Sequence, residues 1–239
     1  MSDSRRRTYQ LGGLLVSTLA IVGVLVAVLT SSGPAPLEPG KPVPGAQAAL
    51  TLFAGIPQSG VTVGSPTAPL TLVEFGDLQC PFCAYFATHV LPTLVSRYVR
   101  TGRLRMVFRS VDGLGHDSVR AARMAQALGE QNHMWQFLDI AYRNQGEENS
   151  GYVTENFLRA IASAIPGVDT ALAFKQRDSQ AVSEQIQQAL SMAKTQHLTV
   201  TPSFLLYATG GPAHRFQPSS PESSSFTDTL DQMLARDGR

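Results

Sequence analysis

Runs of apolar residues in the middle of the chain predict two buried strands. Leu70–Phe75 and Leu104–Phe108 are short and rich in apolar and β-branched residues, as expected of buried strands. Val61–Gly64 is shorter still and predicts an edge strand. We expect these strands to belong to a folded domain that covers residues 58–237.

The segment between the two buried strands predicts an amphipathic helix. Its apolar residues recur at helical spacing from Phe82 to Tyr98, and the helical stretch opens at Cys80. We expect Pro92 to kink or restart this helix, because proline lacks the amide donor and clashes with the preceding turn.

Residues from about 113 to 197 predict a helical insertion, since their apolar positions form amphipathic faces that glycine and proline interrupt. Two short strands follow, Ser203–Tyr207 and His214–Phe216, and then a final helix. The order is strand, helix, strand, helical block, hairpin and helix. It predicts an α/β protein with one mixed sheet and an inserted helical subdomain.

The longest apolar run lies near the start of the chain. Residues 11–29 carry no charge, and at about 1.5 Å per residue a helix of this length spans roughly 28 Å, close to a bilayer core. Arg5 to Arg7 precede it and favour a cytoplasmic N-terminus. We predict a cytoplasmic segment 1–10 and a single transmembrane signal anchor 11–30, with the domain on the periplasmic or cell-wall side of the membrane. The alternative is a cleaved signal peptide, whose apolar core is usually shorter, about 7–15 residues.

Residues 31–57 predict a flexible tether between the anchor and the domain. Five prolines and three glycines lie within residues 31–49, a composition that cannot build an apolar core. At about 3.1 Å per residue, this part of the tether reaches on the order of 60 Å.

The charge of the chain argues against a nucleic-acid partner. The formal net charge is +1 for the whole chain and −1 for residues 31–239, which hold 16 basic and 17 acidic residues. Nucleic-acid-binding proteins usually carry a strongly basic face. We therefore expect no nucleic-acid partner.

The chain has only two cysteines, Cys80 and Cys83, separated by Pro81 and Phe82. They lie where a strand gives way to a helix, and a helix N-terminus stabilises a thiolate through its free amides and its dipole. We expect Cys80 to be the exposed attacking thiol with a lowered pKa. Cys83, one helical turn later, should be more buried and should resolve the mixed disulfide. Pro81 suits the first turn of a helix.

Two other interpretations of the cysteine pair stay open, half a zinc site and a fortuitous pair. A structural zinc site needs about four ligands. The chain has no second C-x-x-C, and its five histidines are scattered. We therefore expect no metal and no other cofactor, because a cycling dithiol carries two electrons by itself.

Two further positions could take part in thiol chemistry. Glu74 lies inside an apolar strand, six residues before Cys80. Burial there would raise its pKa and let it relay a proton to or from Cys83; the alternative is a strand-edge carboxylate that faces solvent. Thr201 and Pro202 directly precede a predicted strand, where proline is ordinary.

Together these features resemble the DsbA-like branch of the thioredoxin superfamily. The resemblance is carried by F-x-D-x-x-C-P-x-C from Phe75 to Cys83, the glutamate six residues before Cys80, the helical insertion, and T-P-S-F from Thr201. It implies a thioredoxin fold with an inserted helical subdomain over most of residues 58–237.

The resemblance also implies roles for individual residues. Four would form the catalytic group: Cys80, Cys83, Glu74 and Pro202. Three more would contact substrate: Phe82, Thr201 and Pro81. Within these sets, Pro202 would be a cis-proline that faces the dithiol, and Thr201 would offer its backbone to a substrate strand.

The activity implied is thiol–disulfide exchange that introduces disulfides into reduced exported proteins. Turnover then needs a membrane partner that reoxidises the dithiol, such as a DsbB-like or vitamin-K-epoxide-reductase-like protein. We expect the protein to act as a monomer anchored to the cell membrane.

Two departures from the family pattern bear on the direction of electron flow. Phe82 stands where strongly oxidising members often carry histidine, and Thr201 where some oxidases carry valine. A disulfide reductase, for example in cytochrome maturation, is therefore the first alternative. An isomerase is less favoured, because residues 31–49 leave no room for a dimerisation module. A non-enzymatic interaction or chaperone module is the remaining alternative.

Overall fold

The computed structural model describes residues 36–236. The predicted cytoplasmic segment 1–10, the transmembrane anchor 11–30 and the first five residues of the tether lie outside these residues. Within the described part of the chain, no helix is both long enough and apolar enough to cross a membrane.

Six strands form one mixed sheet. They are β1 (Gln58–Ser59), β2 (Thr62–Val63), β3 (Leu70–Gly76), β4 (Leu104–Ser110), β5 (Ser203–Ala208) and β6 (His214–Phe216). Their order across the sheet is β1-β2-β4-β3-β5-β6, with β3 parallel to β4 and every other pair antiparallel. Both predicted buried strands are confirmed. The strand predicted at Val61–Gly64 is present as β2, but its predicted edge position is wrong, because the unpredicted β1 forms a hairpin with it and occupies the edge.

Strand β3 lies at the centre of the sheet, and all seven of its residues are buried. Because both of its faces are covered, its sequence is a continuous apolar run instead of an alternating one. Leu70 and Leu72 enter the main core, whereas Val73 and Phe75 enter a smaller core on the other face. Side chains alternate along a strand, so Glu74 points to the same face as Leu72.

A long helix, α2, covers residues 81–99. It combines α-helical segments, Pro81–Tyr85 and Leu91–Leu94, with π-helical segments, Phe86–Val90 and Val95–Val99. The helix continues through Pro92, where an α-helical segment restarts with the proline in its first turn, as predicted, and its hydrogen-bond pattern widens on both sides. Proline supplies no amide hydrogen, and such local widening lets a helix pass an interruption without ending.

Five helices lie between β4 and β5. They are α3 (His116–Gly129), α4 (Met134–Arg143), α5 (Glu155–Ser163), α6 (Thr170–Gln176) and α7 (Gln180–Thr195). They confirm the predicted helical insertion of residues 113–197. Helix α8 (Ser223–Arg236) ends the described chain.

The prediction that residues 31–57 form a tether is wrong for its second half. Ala46–Phe53 forms helix α1, which buries Phe53 in the main core, 6.1 Å from the ring of Trp135. The Arg100 guanidinium binds the carbonyls of Leu52 and Ala54 at the end of this helix, at 2.7 and 2.9 Å. The apolar residues of α1 override the proline-rich composition before it, so the packed domain begins near residue 46 and not at 58.

Candidate active site

The two cysteines lie at the first turn of α2. Cys80 is the N-cap residue, with extended backbone angles, and Pro81 occupies the first turn as predicted. The Cys80 carbonyl accepts the first helical hydrogen bond, from the Ala84 amide at 3.1 Å. Both cysteines are free thiols. The side chain of Cys80 therefore lies beside the unpaired amides at the start of the helix.

Cys80 is less exposed than predicted. Only 5% of its surface is accessible, against 0% for Cys83. The predicted order of burial is confirmed, but the prediction of an exposed Cys80 is wrong. The Thr201 carbonyl, 3.2 Å from the Cys80 sulfur, covers it from the other side of the site.

The surroundings of Cys80 favour its ionised form. The Cys83 thiol donates a hydrogen bond to the Cys80 sulfur, and this bond contributes most to lowering the pKa of Cys80 to about 6. The side chain of Thr201 lowers it further, followed by the backbone amides of Cys83 and Phe82, against the opposing effect of burial. A thiolate at Cys80 is thus populated at neutral pH, the condition for attack on a disulfide.

Cys83 and Glu74 have the opposite character. Burial raises the pKa of Cys83 well above its ordinary value. Burial, with the negative charge of Cys80 as a second cause, raises the pKa of Glu74 to about 8. Glu74 is therefore protonated at neutral pH, and the alternative of a solvent-facing carboxylate is wrong.

The pocket around the Glu74 carboxyl depends on a glycine. A Cβ atom on Gly76 would lie 2.7 Å from the Phe108 ring and 3.2 Å from Glu74 Oε1. Glu74 Oε1 is buried and has no hydrogen-bond partner within residues 36–236. The carboxyl group is thus free to hold or release its proton without first breaking a bond at this oxygen.

The segment that approaches the dithiol from β5 carries the predicted proline. The Thr201–Pro202 peptide bond is cis, as the resemblance implies. With the Thr201 carbonyl against the Cys80 sulfur, the structure brings together the end of β3, the start of α2 and the start of β5.

The predicted substrate contacts lie at the surface beside Cys80. Phe82 is 74% exposed, and Pro81 is also exposed. A groove of about 480 Å³ runs from Phe82 past Pro202, with an aromatic floor formed by Phe86, Phe204, Phe216 and Phe226. The exposed Val200 is part of its wall.

Residues 77–80, which we call the approach loop, connect β3 to α2 and are fully buried. The Asp77 carboxylate accepts hydrogen bonds from the Gln79 amide at 2.8 Å and from the Ser118 hydroxyl at 2.6 Å. The Gln79 side chain donates to Ser118 Oγ at 2.9 Å and accepts from the Asn149 amide at 2.7 Å. Sequence reasoning missed this polar network. The one local signal was a group of polar residues directly before the first cysteine.

A metal does not compete for the two thiols in this part of the chain. Within residues 36–236, no group of three or more His, Cys, Asp or Glu side chains is arranged to hold a metal ion. The zinc interpretation of the cysteine pair therefore has no support from the geometry.

Comparison with known proteins agrees with this geometry. A family model described as thioredoxin matches residues 57–210. The probable disulfide bond formation protein D of Bacillus cereus is 28% identical over 178 residues, covering 73% of this chain and 79% of that protein.

Solved structures share the fold at lower identity. Oxidised BdbD from Bacillus subtilis superposes with a TM-score of 0.64 at 18% identity, covering 84% of this chain and 98% of that one. Wolbachia pipientis alpha-DsbA1 superposes with a TM-score of 0.61 at 19% identity, covering 77% of this chain and 92% of that one. The chain therefore belongs to the thioredoxin family, as a DsbA-like thiol:disulfide oxidoreductase that uses a redox-active cysteine pair and no other cofactor.

Proposed function

We propose that this protein works in the oxidising direction and introduces disulfides into reduced proteins outside the cytoplasm. A substrate thiolate attacks the Cys80 sulfur of the Cys80–Cys83 disulfide, and Cys83 leaves with the electron pair. A second substrate thiolate then attacks the substrate sulfur of the mixed disulfide, and Cys80 leaves. The substrate gains a disulfide, and the two cysteines end as a reduced pair.

The observation that carries this direction is the lowered pKa of Cys80. A stabilised thiolate stabilises the reduced pair relative to the disulfide, which makes the disulfide a stronger oxidant. It also makes Cys80 a good leaving group in the second step, because a thiol of low pKa leaves faster. The side chain of Phe82 adds no hydrogen bond to the thiolate, so the stabilisation comes from the Cys83 thiol, the Thr201 side chain and the helical amides.

Glu74 is suited to supply the proton that Cys83 needs when it leaves. Cys83 departs as a thiolate, but burial strongly favours its neutral form. With a pKa of about 8, Glu74 holds a proton at neutral pH and can pass it to Cys83, directly or through water. The carboxylate left behind recovers a proton from solvent.

The groove beside Cys80 is suited to a reduced, extended polypeptide. Its aromatic floor offers apolar contacts, and the backbone of Thr201 lies beside the attacking sulfur. We assign substrate contacts to Phe82, Thr201 and Pro81. The relatives named disulfide bond formation protein D support this activity.

We further propose that the protein is a monomer anchored to the cell membrane through residues 11–30. The uncharged run and the arginines before it support this topology. A DsbB-like or vitamin-K-epoxide-reductase-like membrane protein would reoxidise the dithiol. An alkaline phosphatase fused to the C-terminus should be active, since this reporter folds only outside the cytoplasm. An inactive fusion, with an active cytoplasmic reporter at the same site, would overturn the topology.

Oxidative refolding tests the direction of electron flow. Full-length oxidised protein in detergent should restore activity to a reduced, unfolded substrate enzyme that needs disulfides, and Cys80→Ser should not. Alkylation trapping in intact cells should find the two thiols mostly oxidised. Rapid insulin reduction without refolding activity, and thiols found mostly reduced, would instead identify a reductase.

A further inference from the structure

The side chain of Gln145, from the helical insertion, binds the backbone on both sides of Gln79. Its amide nitrogen donates to the Leu78 carbonyl at 2.8 Å and to the Cys80 carbonyl at 3.2 Å. The same Cys80 carbonyl accepts the Ala84 amide. One side-chain nitrogen therefore connects the approach loop to the first hydrogen bond of α2.

The Cys80 carbonyl is important because it is the only hydrogen-bonding group of the Cys80–Pro81 peptide unit. The next residue is Pro81, which has no amide hydrogen. The preceding peptide unit is held differently, by the Cys80 amide, which donates to the Asp77 carbonyl at 3.0 Å. The carbonyl oxygen is thus the single polar group through which the protein can orient the Cys80–Pro81 peptide plane.

Other side chains of the insertion reach the approach loop but stop short of this carbonyl. The Tyr142 hydroxyl donates to the Asp77 carbonyl, and the Tyr152 hydroxyl to the Leu78 carbonyl, each at 3.3 Å. Among residues 36–236, Gln145 is the one side chain that hydrogen-bonds to the Cys80 carbonyl. It lies 65 positions along the chain from Cys80.

We propose that Gln145 is a positioning residue for the dithiol, which holds the Cys80–Pro81 peptide plane and so directs the first amides of α2 at the Cys80 sulfur. The helical insertion then tunes the attacking thiol as well as covering the site. The proposal rests on Cys80 being the sulfur that forms the mixed disulfide with substrate, as proposed above, and not on the direction of electron flow.

Gln145→Met tests the proposal, because methionine keeps the length of the side chain and removes both donors. The pKa of Cys80 is measured on full-length reduced protein from thiolate ultraviolet absorbance against pH. We expect the wild-type midpoint near 6. Loss of one supporting hydrogen bond should raise the midpoint by about 0.5–1 unit, with a matching fall in the alkylation rate of Cys80 at pH 6.

Two control variants separate positioning from general support of the fold. Tyr152→Phe removes a bond to the Leu78 carbonyl alone. Gln131→Met removes a similar side-chain amide elsewhere in the insertion. The Gln131 side chain donates to the Asp169 carbonyl at 3.0 Å and accepts from the Asp169 amide at 2.8 Å. Both variants should lower the melting temperature without moving the midpoint of Cys80.

A midpoint that stays unchanged in Gln145→Met would overturn the proposal, as would equal shifts in the two controls. If Gln145→Met does not fold, Gln145→Leu serves in its place, because it also removes both donors, adds no charge beside the Cys80 sulfur and should raise the midpoint by a similar amount. Failure of the refolding assay would contradict the oxidase function and leave this measurement intact.

Discussion

The approach loop and residues 198–201 both lead to the dithiol, but the protein holds them very differently. Every residue of the approach loop is buried, and side chains and one backbone amide of the insertion bind its backbone and its polar groups. In residues 198–201, by contrast, each side chain is half-buried or exposed, and Val200 is 66% exposed. One segment holds the Cys80 sulfur in place, and in the proposed function the other presents backbone and apolar surface to a substrate.

This difference separates two requirements of thiol–disulfide exchange. The ionisation of Cys80 depends on amides placed to within fractions of an ångström, so its supports must be rigid. Substrates of unrelated sequence need a surface that tolerates many side chains, which an exposed backbone segment and an apolar groove provide. Substitutions on the first side should change the chemistry and the stability, and substitutions on the second should change substrate affinity.

The largest expected effect comes from substituting Cys80 or Cys83, whose sulfurs lie where the two segments meet. Cys80→Ser should reduce refolding activity to background, because Cys83, the one other thiol of the chain, then has no partner with which to form the disulfide. Cys83→Ala should keep the reactive Cys80 and accumulate covalent adducts on non-reducing gels when the Cys80 thiolate attacks a substrate disulfide, since Cys83 is no longer present to displace the substrate. Adducts on Cys83 in a Cys80→Ser variant, with none in Cys83→Ala, would reverse the assigned order of attack.

Glu74→Gln should have the next largest effect, with opposite signs for activity and stability. Loss of the proton relay should slow exchange by about 100-fold at neutral pH. In the folded protein the pKa of Glu74 is raised from its ordinary value of 4.5 to about 8, so its ionisation opposes folding increasingly as pH rises through this window. The variant should therefore gain up to about 3 kcal/mol of unfolding free energy at pH 7 and little at pH 4.

Urea denaturation of the reduced protein, the state in which the Cys80 charge contributes to this pKa, measures the stability gain at both pH values. Glu130→Gln is a suitable control, because Glu130 lies at the exposed end of the insertion and bonds to Gln185. Equal changes at pH 4 and pH 7 would show that Glu74 is not a buried acid with a raised pKa.

The sequence predicts the parts of this site that depend on local pattern. A buried strand, a C-x-x-C pair at a helix start and a carboxyl group inside the strand are all visible within Leu70–Cys83. The supports of the approach loop are not visible, because Ser118, Gln145 and Asn149 are brought there by the tertiary fold, with no periodicity to mark them. Helix α1 was missed because the prolines before it dominate the composition of that region.

Ser118→Ala tests the buried side of the comparison with a smaller expected effect. The buried Ser118 hydroxyl donates a hydrogen bond to the Asp77 carboxylate and accepts one from the side-chain amide of Gln79. Its removal takes one hydrogen bond from each of two buried polar groups, one of them a carboxylate, which costs about 1–3 kcal/mol of unfolding free energy. The Michaelis constant for a reduced substrate should stay unchanged. A raised Michaelis constant without loss of stability would contradict the division between the two segments.

Val200→Ser tests the exposed side, where the smallest effect is expected. The side chain of Val200 is free in this structure, and its backbone carbonyl keeps the bond from Ser203 Oγ at 2.6 Å whichever side chain is present. Losing the apolar contact with a bound polypeptide should cost about 1 kcal/mol of binding, or roughly a fivefold rise in the Michaelis constant. The unfolding free energy should change by less than about 0.5 kcal/mol, and the pKa of Cys80 should not move.

Leu172→Ser is the matched control for Val200→Ser, since Leu172 is also an exposed apolar residue but lies in α6, outside the groove. It should leave the Michaelis constant unchanged. If Val200→Ser instead lowered stability or raised the pKa of Cys80, residues 198–201 would be part of the rigid support of the sulfur. Residues 198–201 would then not be the adaptable segment that we contrast with the rigid approach loop.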